Sequence, residues 1–287
     1  MQYASDIHLE YHAGKNWPEI QPKAPYLALA GDIGNPFHKS FSNYLTYCSK
    51  RFKHVYVVMG NHDCWSQELD VAKRRIRACC AEKGNCTFLD DEVAELEDVR
   101  IFGSTLWSPV TDRAAKGMND YNMIYYNNKH LTADDTRQMH SDTVARIDRL
   151  LDASSKPLLV ITHYAPLLQM NGRYGASPNI SAFCADLWHL FRKPLVGWIS
   201  GHTHASLQIT ENGIPCHSNC WGYDAREQSD YRQDAVMDVP ELGMTGGFGR
   251  PLHPVFKGYA ATRRGKPNPL DEKESWLSTR TGVATQP

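Results

Sequence analysis

Seven side chains able to hold metal ions arrive in five short motifs along the chain. The motifs are Asp6-Ile7-His8, Gly31-Asp32, Gly60-Asn61-His62-Asp63, Thr162-His163 and Gly201-His202-Thr203-His204. Asp6, His8, Asp32, Asn61, His163, His202 and His204 together offer carboxylate, amide and imidazole donors and no thiolate. A mixed oxygen and nitrogen set of this kind suits divalent transition metals, with Mn, Fe, Zn and Ni all open. One ion takes roughly four to six donors, so seven, with His62 to spare, point to two ions. Two such ions about 3.5–4 Å apart clamp the attacking and leaving oxygens of an in-line phosphoryl displacement. A water they share is acidic enough to supply hydroxide near neutral pH.

Something must bring the five motifs together. Each closes a short apolar run, at 2–4, 26–30, 55–59, 158–161 and 196–199, as a strand does when it delivers side chains to a sheet edge. In open α/β sheets ligands bind beyond the carboxyl ends of the strands, so these runs predict one shared cleft. Helical patterns alternate with them at about 37–52, 66–83, 133–152 and 181–192. The third opens on Thr132-Ala133-Asp134-Asp135, a capping-box pattern. Further apolar runs at 99–106 and 206–210 add strands. The prediction is an α/β fold in which a two-sheet β-sandwich is flanked by helices.

The order D-x-H, G-D, G-N-H-D, H, G-H-x-H resembles the calcineurin-like metallophosphoesterase superfamily over roughly residues 1–220. Ser5-Asp6-Ile7-His8-Leu9-Glu10, Leu106-Trp107 and Met118-Asn119-Asp120-Tyr121 are similar to a small bacterial or viral branch of it. The resemblance implies a four-layer fold and a dinuclear hydrolase of phosphate esters. It implies one ion on Asp6, His8, Asp32 and His204, and a second on Asp32, Asn61, His163 and His202, with Asp32 as the bridge. His62 then has no ligand slot and is expected to meet a phosphoryl oxygen or protonate the leaving oxygen, a role worth roughly 10²–10⁴-fold. Asp63 is expected to fix the turn that carries it.

One departure narrows the class. Protein phosphatases of the superfamily carry G-D-x-V-D-R-G and G-N-H-E, whereas this chain reads Gly31-Asp32-Ile33-Gly34-Asn35 and ends the other motif in Asp63. The carboxylate that would pair with His62 is missing, which leaves Asn35 to orient the ring and argues against a protein phosphatase.

Composition bounds the partners. The chain has 287 residues with 31 basic and 32 acidic side chains, a balance that does not favour bulk nucleic-acid binding. The cluster of Lys73, Arg74, Arg75 and Arg77 reads as a solvated helix face. No apolar run approaches the roughly 20 residues of a membrane span. The first run begins almost at Met1, leaving no room for a signal peptide, so a cytoplasmic protein is expected. The eight cysteines form no regular framework and read as free thiols.

Two segments flank the predicted cleft. Residues 107–131 carry Trp107, Met118, Tyr121, Met123, Tyr125 and Tyr126 with little periodicity, and form either a substrate wall or a packed loop. Residues 164–180 lie between two ligand motifs, which makes Tyr164 and Arg173 candidate substrate contacts beside Asn61 and His62. A guanidinium matches phosphate oxygens in pairs. From 224 the chain turns rich in Gly, Pro, Arg, Asp and Ser. The expected organisation is a metallophosphoesterase domain over 1–223 and an irregular extension over 224–287 that wraps the core or is partly disordered, its aromatics favouring partial order or a homo-oligomer contact.

The leading expectation is a phosphodiesterase acting on a small nucleotide-like phosphate ester. A phosphomonoesterase using the same site, or a non-catalytic scaffold on the same fold, are the alternatives.

Overall fold

The computed structural model describes residues 1–12, 17–153, 155–175 and 177–239, without the side chains of residues 173 and 174. Four parallel strands form the first sheet in the order β1 (Gln2–Ala4), β2 (Tyr26–Ala30), β3 (His54–Val58) and β4 (Cys86–Phe88). The second sheet has six strands. These are β5 (Glu92–Leu96), β6 (Val99–Ser104), β9 (Leu158–Thr162), β10 (Leu195–Ser200), β11 (Leu207–Glu211) and β12 (Ile214–Ser218). They run in the order β11-β12-β10-β9-β6-β5, with a parallel centre and antiparallel strands at both edges. A small hairpin, β7 (Tyr125–Tyr126) with β8 (Lys129–His130), stands apart.

Strand periodicity divides the core into layers. Tyr26, Ala28, Ala30, Tyr56 and Val58 of the first sheet meet Val99, Ile101, Leu159, Ile161 and Ile199 of the second in one buried cluster. The alternate residues point outward, and helices cover them. Leu27, Leu29, Val55 and Val57 share a second cluster with Phe41 and Leu45 of α1 (Lys39–Ser49) and Ile76 of α2 (Leu69–Ala81). On the other side Phe102, Leu158, Val160 and Trp198 belong to that cluster with Ile147 and Leu151 of α5 (Ala133–Ala153). Each such aliphatic side chain, once buried, stabilises the layer by roughly 1.5–3 kcal/mol. The result is the expected sandwich between helical layers.

The capping residues of α5 behave as their spacing predicts: Thr132 Oγ1 accepts the Asp135 amide, and Asp135 Oδ2 accepts the Thr132 amide. The fourth predicted helix is not there. Residues 181–192 hold only short 3₁₀ turns at Ile180–Ala182 and Trp188–Leu190. Ala165 hydrogen-bonds the backbone of Phe183 and Ala185 on either side of Cys184, which pulls that stretch out of helical geometry. Residues 107–131, expected as irregular, contain the single-turn helices α3 (Asp112–Ala115) and α4 (Asp120–Met123) and the β7–β8 hairpin.

Past the last strand comes a one-turn helix, α6 (Ala225–Gln228). The chain then returns to β1, where Tyr3 donates to the Ala235 carbonyl and Met237 to that of Met1. Residues 240–287, most of the expected extension, lie outside the described residues. All eight cysteines are free and buried. Among the described residues no helix is long and apolar enough to cross a membrane.

Candidate metal centre

All five motifs meet at the carboxyl ends of β1, β2, β3, β9 and β10, where their side chains are buried. Asp32 Oδ2 lies 3.3 Å from His163 Nε2 on one side and 3.7 Å from His8 Nε2 on the other. Around the first point, His163 Nε2 is 3.0 Å from Asn61 Oδ1 and 3.1 Å from His202 Nδ1. Around the second, His8 Nε2 is 3.1 Å from His204 Nε2, which is 3.4 Å from Asp6 Oδ1. Donor atoms about 2.1 Å from one ion stand about 3.0–3.4 Å apart, the edge of an octahedron or a tetrahedron. All of these separations but the 3.7 Å from Asp32 to His8 fall in the range of donors around one ion.

The hydrogen bonds made by the four rings support the same fit. Each turns one nitrogen away from the centre: His8 Nδ1 to Glu10 at 2.9 Å, His163 Nδ1 to the Ala30 carbonyl at 2.9 Å, His202 Nε2 to the Ala182 carbonyl at 3.1 Å, and His204 Nδ1 to Glu227 at 2.8 Å. Those acceptors fix the ring proton on the outer nitrogen. The inner nitrogens then face one another as lone pairs 3.1 Å apart, an arrangement that repels unless a cation lies between them. The two rings at the first point respond in opposite directions to their surroundings. Burial opposes charge on His163 and His202 alike, but Asp32 overrides it and lifts His163 to about 9. At His202 the neighbouring His163 adds to burial, and the ring is pushed down to about 3.

The backbone is bent to present this set. Asp6, His8, Asp32, His202 and His204 all have φ between 48° and 69°, the left-handed region that costs a non-glycine residue roughly 1–2 kcal/mol. The glycines of the motifs have a spatial cause. A Cβ on Gly60 would stand 2.0 Å from Asp32 Oδ1, and one on Gly31, itself at φ +85°, would stand 2.5 Å from His163 Nδ1. Only hydrogen fits beside these ligands.

Asp63 ties the β2 and β3 ends together. Its carboxylate accepts the amides of Asp32, Gly34 and Gly60 at 3.0, 2.7 and 2.8 Å. Burial and the Asp32 charge push Asp63 up to about 8, against the pull of those amides. Asn35 has a different task from the one expected. Its Oδ1 accepts the Phe37 amide, and the carboxylate beside His62 is Glu10, 3.4 Å from Nδ1. His62 stacks on Trp65 with ring centroids 3.5 Å apart, and its Nε2 meets the Tyr223 hydroxyl at 3.0 Å. Tyr164 is buried behind His202, ring centroids 3.9 Å apart, rather than on the cleft wall. The side chain of Arg173 lies outside the described residues.

Further residues hydrogen-bond or pack against the motif side chains. Glu10, Glu227, Asp120, Trp65 and Tyr223 were not picked out by spacing. Glu10 stands two residues after His8 and Asp120 lies in the Met118–Tyr121 stretch, so both were near visible signals. Glu227 had none, because it falls beyond the last motif.

Two stacked sheets with a buried carboxylate and imidazole centre at their strand ends define a metal-dependent hydrolase of phosphate esters. The chain belongs to the calcineurin-like phosphoesterase family, whose sequence profile matches residues 4–206. Protein L509 of Acanthamoeba polyphaga mimivirus, itself uncharacterised, is 33% identical over 273 residues that cover 84% of this chain and 97% of that one. Among solved structures, the phosphopantetheinyl hydrolase PptH of Mycobacterium tuberculosis superposes with a TM-score of 0.62. It is 20% identical, with 83% of this chain and 96% of that one covered, a likeness of fold.

Proposed function

We propose that the protein is a dinuclear phosphodiesterase acting on small, nucleotide-like phosphate esters. The observation that carries this reading is the position of Asp32 Oδ2, shared between the His163 and His8 nitrogens. On this reading Asp6, His8, Asp32 and His204 hold one divalent ion, and Asp32, Asn61, His163 and His202 hold the other, drawn from Mn, Fe, Zn or Ni. Ions held there supply an acidic water as nucleophile and positive charge for the phosphoryl oxygens.

The remaining chemistry belongs to the chain. His62, kept in place by Trp65 and Glu10, delivers a proton at Nε2 toward the leaving oxygen, and Asp63 keeps the motif that carries it rigid. A diester is favoured over a monoester by charge. Asp120 and Glu227 line the cleft. A singly charged diester suits that wall better than a dianion. On this reading residues 1–223 form the esterase domain, the following helix contributes Glu227, the stretch through Val239 packs back at β1, and contact between subunits is assigned to the rest of the extension.

The test uses metal-stripped protein reloaded separately with Mn²⁺, Zn²⁺, Ni²⁺ and Fe²⁺, with metal counted per chain. Hydrolysis of bis-p-nitrophenyl phosphate is compared with that of p-nitrophenyl phosphate. Two ions per chain and a preference for the diester are expected. A preference for the monoester turns the reading to a phosphomonoesterase, and two ions without turnover turn it to a scaffold.

A further inference from the structure

Beside the centre lies a cleft of about 350 Å³, within the range of small-ligand pockets. One end is formed by Asp32, Asn61, His62, His202 and His204. The walls leading away from it carry Trp65, Met118, Phe183 and Tyr223. Trp65 is already stacked on His62 and held through its ring nitrogen by Asp120 at 2.8 Å, so it is a fixed surface.

Two residues that line this cleft each hold a buried polar atom without a partner, Asn171 Oδ1 and Thr203 Oγ1. Asn171 is 1% exposed and Thr203 2%. The two belong to segments in tight contact, since a Cβ on Gly172 would stand 2.6 Å from that of Ala205. The Asn171 amide nitrogen is committed to the Gly175 carbonyl at 2.6 Å, which fixes the orientation of the side chain. Its oxygen therefore offers an acceptor and nothing else. A buried acceptor left unpaired is costly, and a ligand bearing a donor relieves that cost. The Thr203 hydroxyl, able to donate or accept, suits a carbonyl beside such a donor.

We propose that this cleft seats the organic group of the ester, and that the group is a neutral planar heterocycle whose N–H donates to Asn171 Oδ1. The flat part lies against Trp65 and Phe183, and the phosphoryl end faces the histidines. This rests on the esterase reading and adds a rule for the substrate: one phosphoryl centre, attached to an uncharged ring with an imide-like or amide-like edge.

The probe is thymidine 5′-(p-nitrophenyl phosphate), whose ring N3–H is such a donor, beside its N3-methyl analogue. The metal-loaded protein should favour the first by about 10- to 100-fold in kcat/KM, chiefly through KM. In Asn171→Ala that ratio should fall to near one. Binding of thymidine 5′-phosphate and its N3-methyl form, followed by calorimetry, should show the same discrimination and the same loss. A ratio near one in the unaltered protein overturns the proposal, and so does a ratio that survives Asn171→Ala. Because the analogue tests the unaltered protein, the proposal stays falsifiable if the variant does not fold. The two readings separate cleanly. Turnover without discrimination removes the heterocycle site and leaves the esterase, while discrimination in binding without turnover does the reverse.

Discussion

Asp120 Oδ1 accepts the Asn61 side-chain amide at 2.9 Å, and this bond decides which end of Asn61 meets the centre. With the NH₂ group held outward, Oδ1 points at His163 Nε2. The same Asp120 oxygen accepts the Trp65 ring nitrogen at 2.8 Å, so one buried carboxylate positions a ligand and the surface on which His62 rests. Asp120→Ala should free the Asn61 amide to rotate and weaken the ion on that side by about 10- to 100-fold. Calorimetric titration with Mn²⁺ measures it without reference to turnover. Unchanged affinity would mean that Asn61 is held by something other than Asp120.

Gly60→Ala is the sharper steric test. The added methyl would need the space of Asp32 Oδ1, 2.0 Å away, and would also crowd the Asp32 amide at 2.4 Å. Asp32 has little room to yield, because its Oδ1 accepts the His62 amide at 2.8 Å. The variant should lose both ions together, since the displaced carboxylate is the shared one. Metal analysis showing one ion kept at full occupancy would remove Asp32 from its bridging position.

Glu227 supports the centre from outside the five motifs. It accepts from His204 Nδ1 at 2.8 Å, and the same oxygen accepts the Tyr223 backbone amide at 2.7 Å. Glu227→Gln removes the charge that holds the His204 proton on Nδ1. Affinity at the Asp6, His8 and His204 side should drop about tenfold, while the other side is spared. An equal loss on both sides in a metal titration would show that the residue supports the fold as a whole.

What could be read in advance follows from where the information sits. The buried carboxylate and imidazole cluster was legible because each of its residues is contiguous with a strand end, and because glycine must precede several of them where a Cβ would strike a neighbouring side chain. The partners of those residues were not. Asp120 and Glu227 come from distant parts of the chain and meet the centre only in three dimensions, while Glu10, two residues after His8, also reaches His62 across the fold, a contact that no spacing records. Asn35 was assigned to His62 by analogy with a missing carboxylate, yet Glu10 stands at the ring, and Asn35 caps its own turn. Over 181–192 the apolar spacing is helical, and pairing of the backbone with Ala165 prevails over it. Local periodicity carries no record of such a contact.

His62 is surrounded by Glu10, Trp65 and Tyr223, with no strand-end ligand bonded to its ring nitrogens. His62→Ala should therefore keep both ions while turnover falls about 10²- to 10⁴-fold. The loss should be larger for an alkyl leaving group than for p-nitrophenolate, which departs without a proton. His62 also stands close enough to His8 and Asp32 to form a third candidate ligand group. Loss of an ion from the variant would assign it there and take away its role as proton donor.

Outside the five motifs, His217 on β12 predicts how stability responds to acid. Its Nδ1 accepts from the Tyr3 hydroxyl, which in turn accepts from Gln208 at 3.2 Å, and burial pushes the ring down to about 4. In the unfolded chain a histidine takes its proton near pH 6.5. Between those values the unfolded state binds more protons than the folded one, so stability falls as pH drops through that window. The contribution is about 2 kcal/mol between pH 7 and pH 4.5. His217→Gln cannot titrate, but its amide oxygen can still accept from Tyr3. Urea unfolding of both proteins at the two pH values should show a loss smaller by about that amount in the variant. Equal losses would mean that His217 is protonated in the folded protein, and that the Tyr3 hydroxyl bond does not hold it neutral.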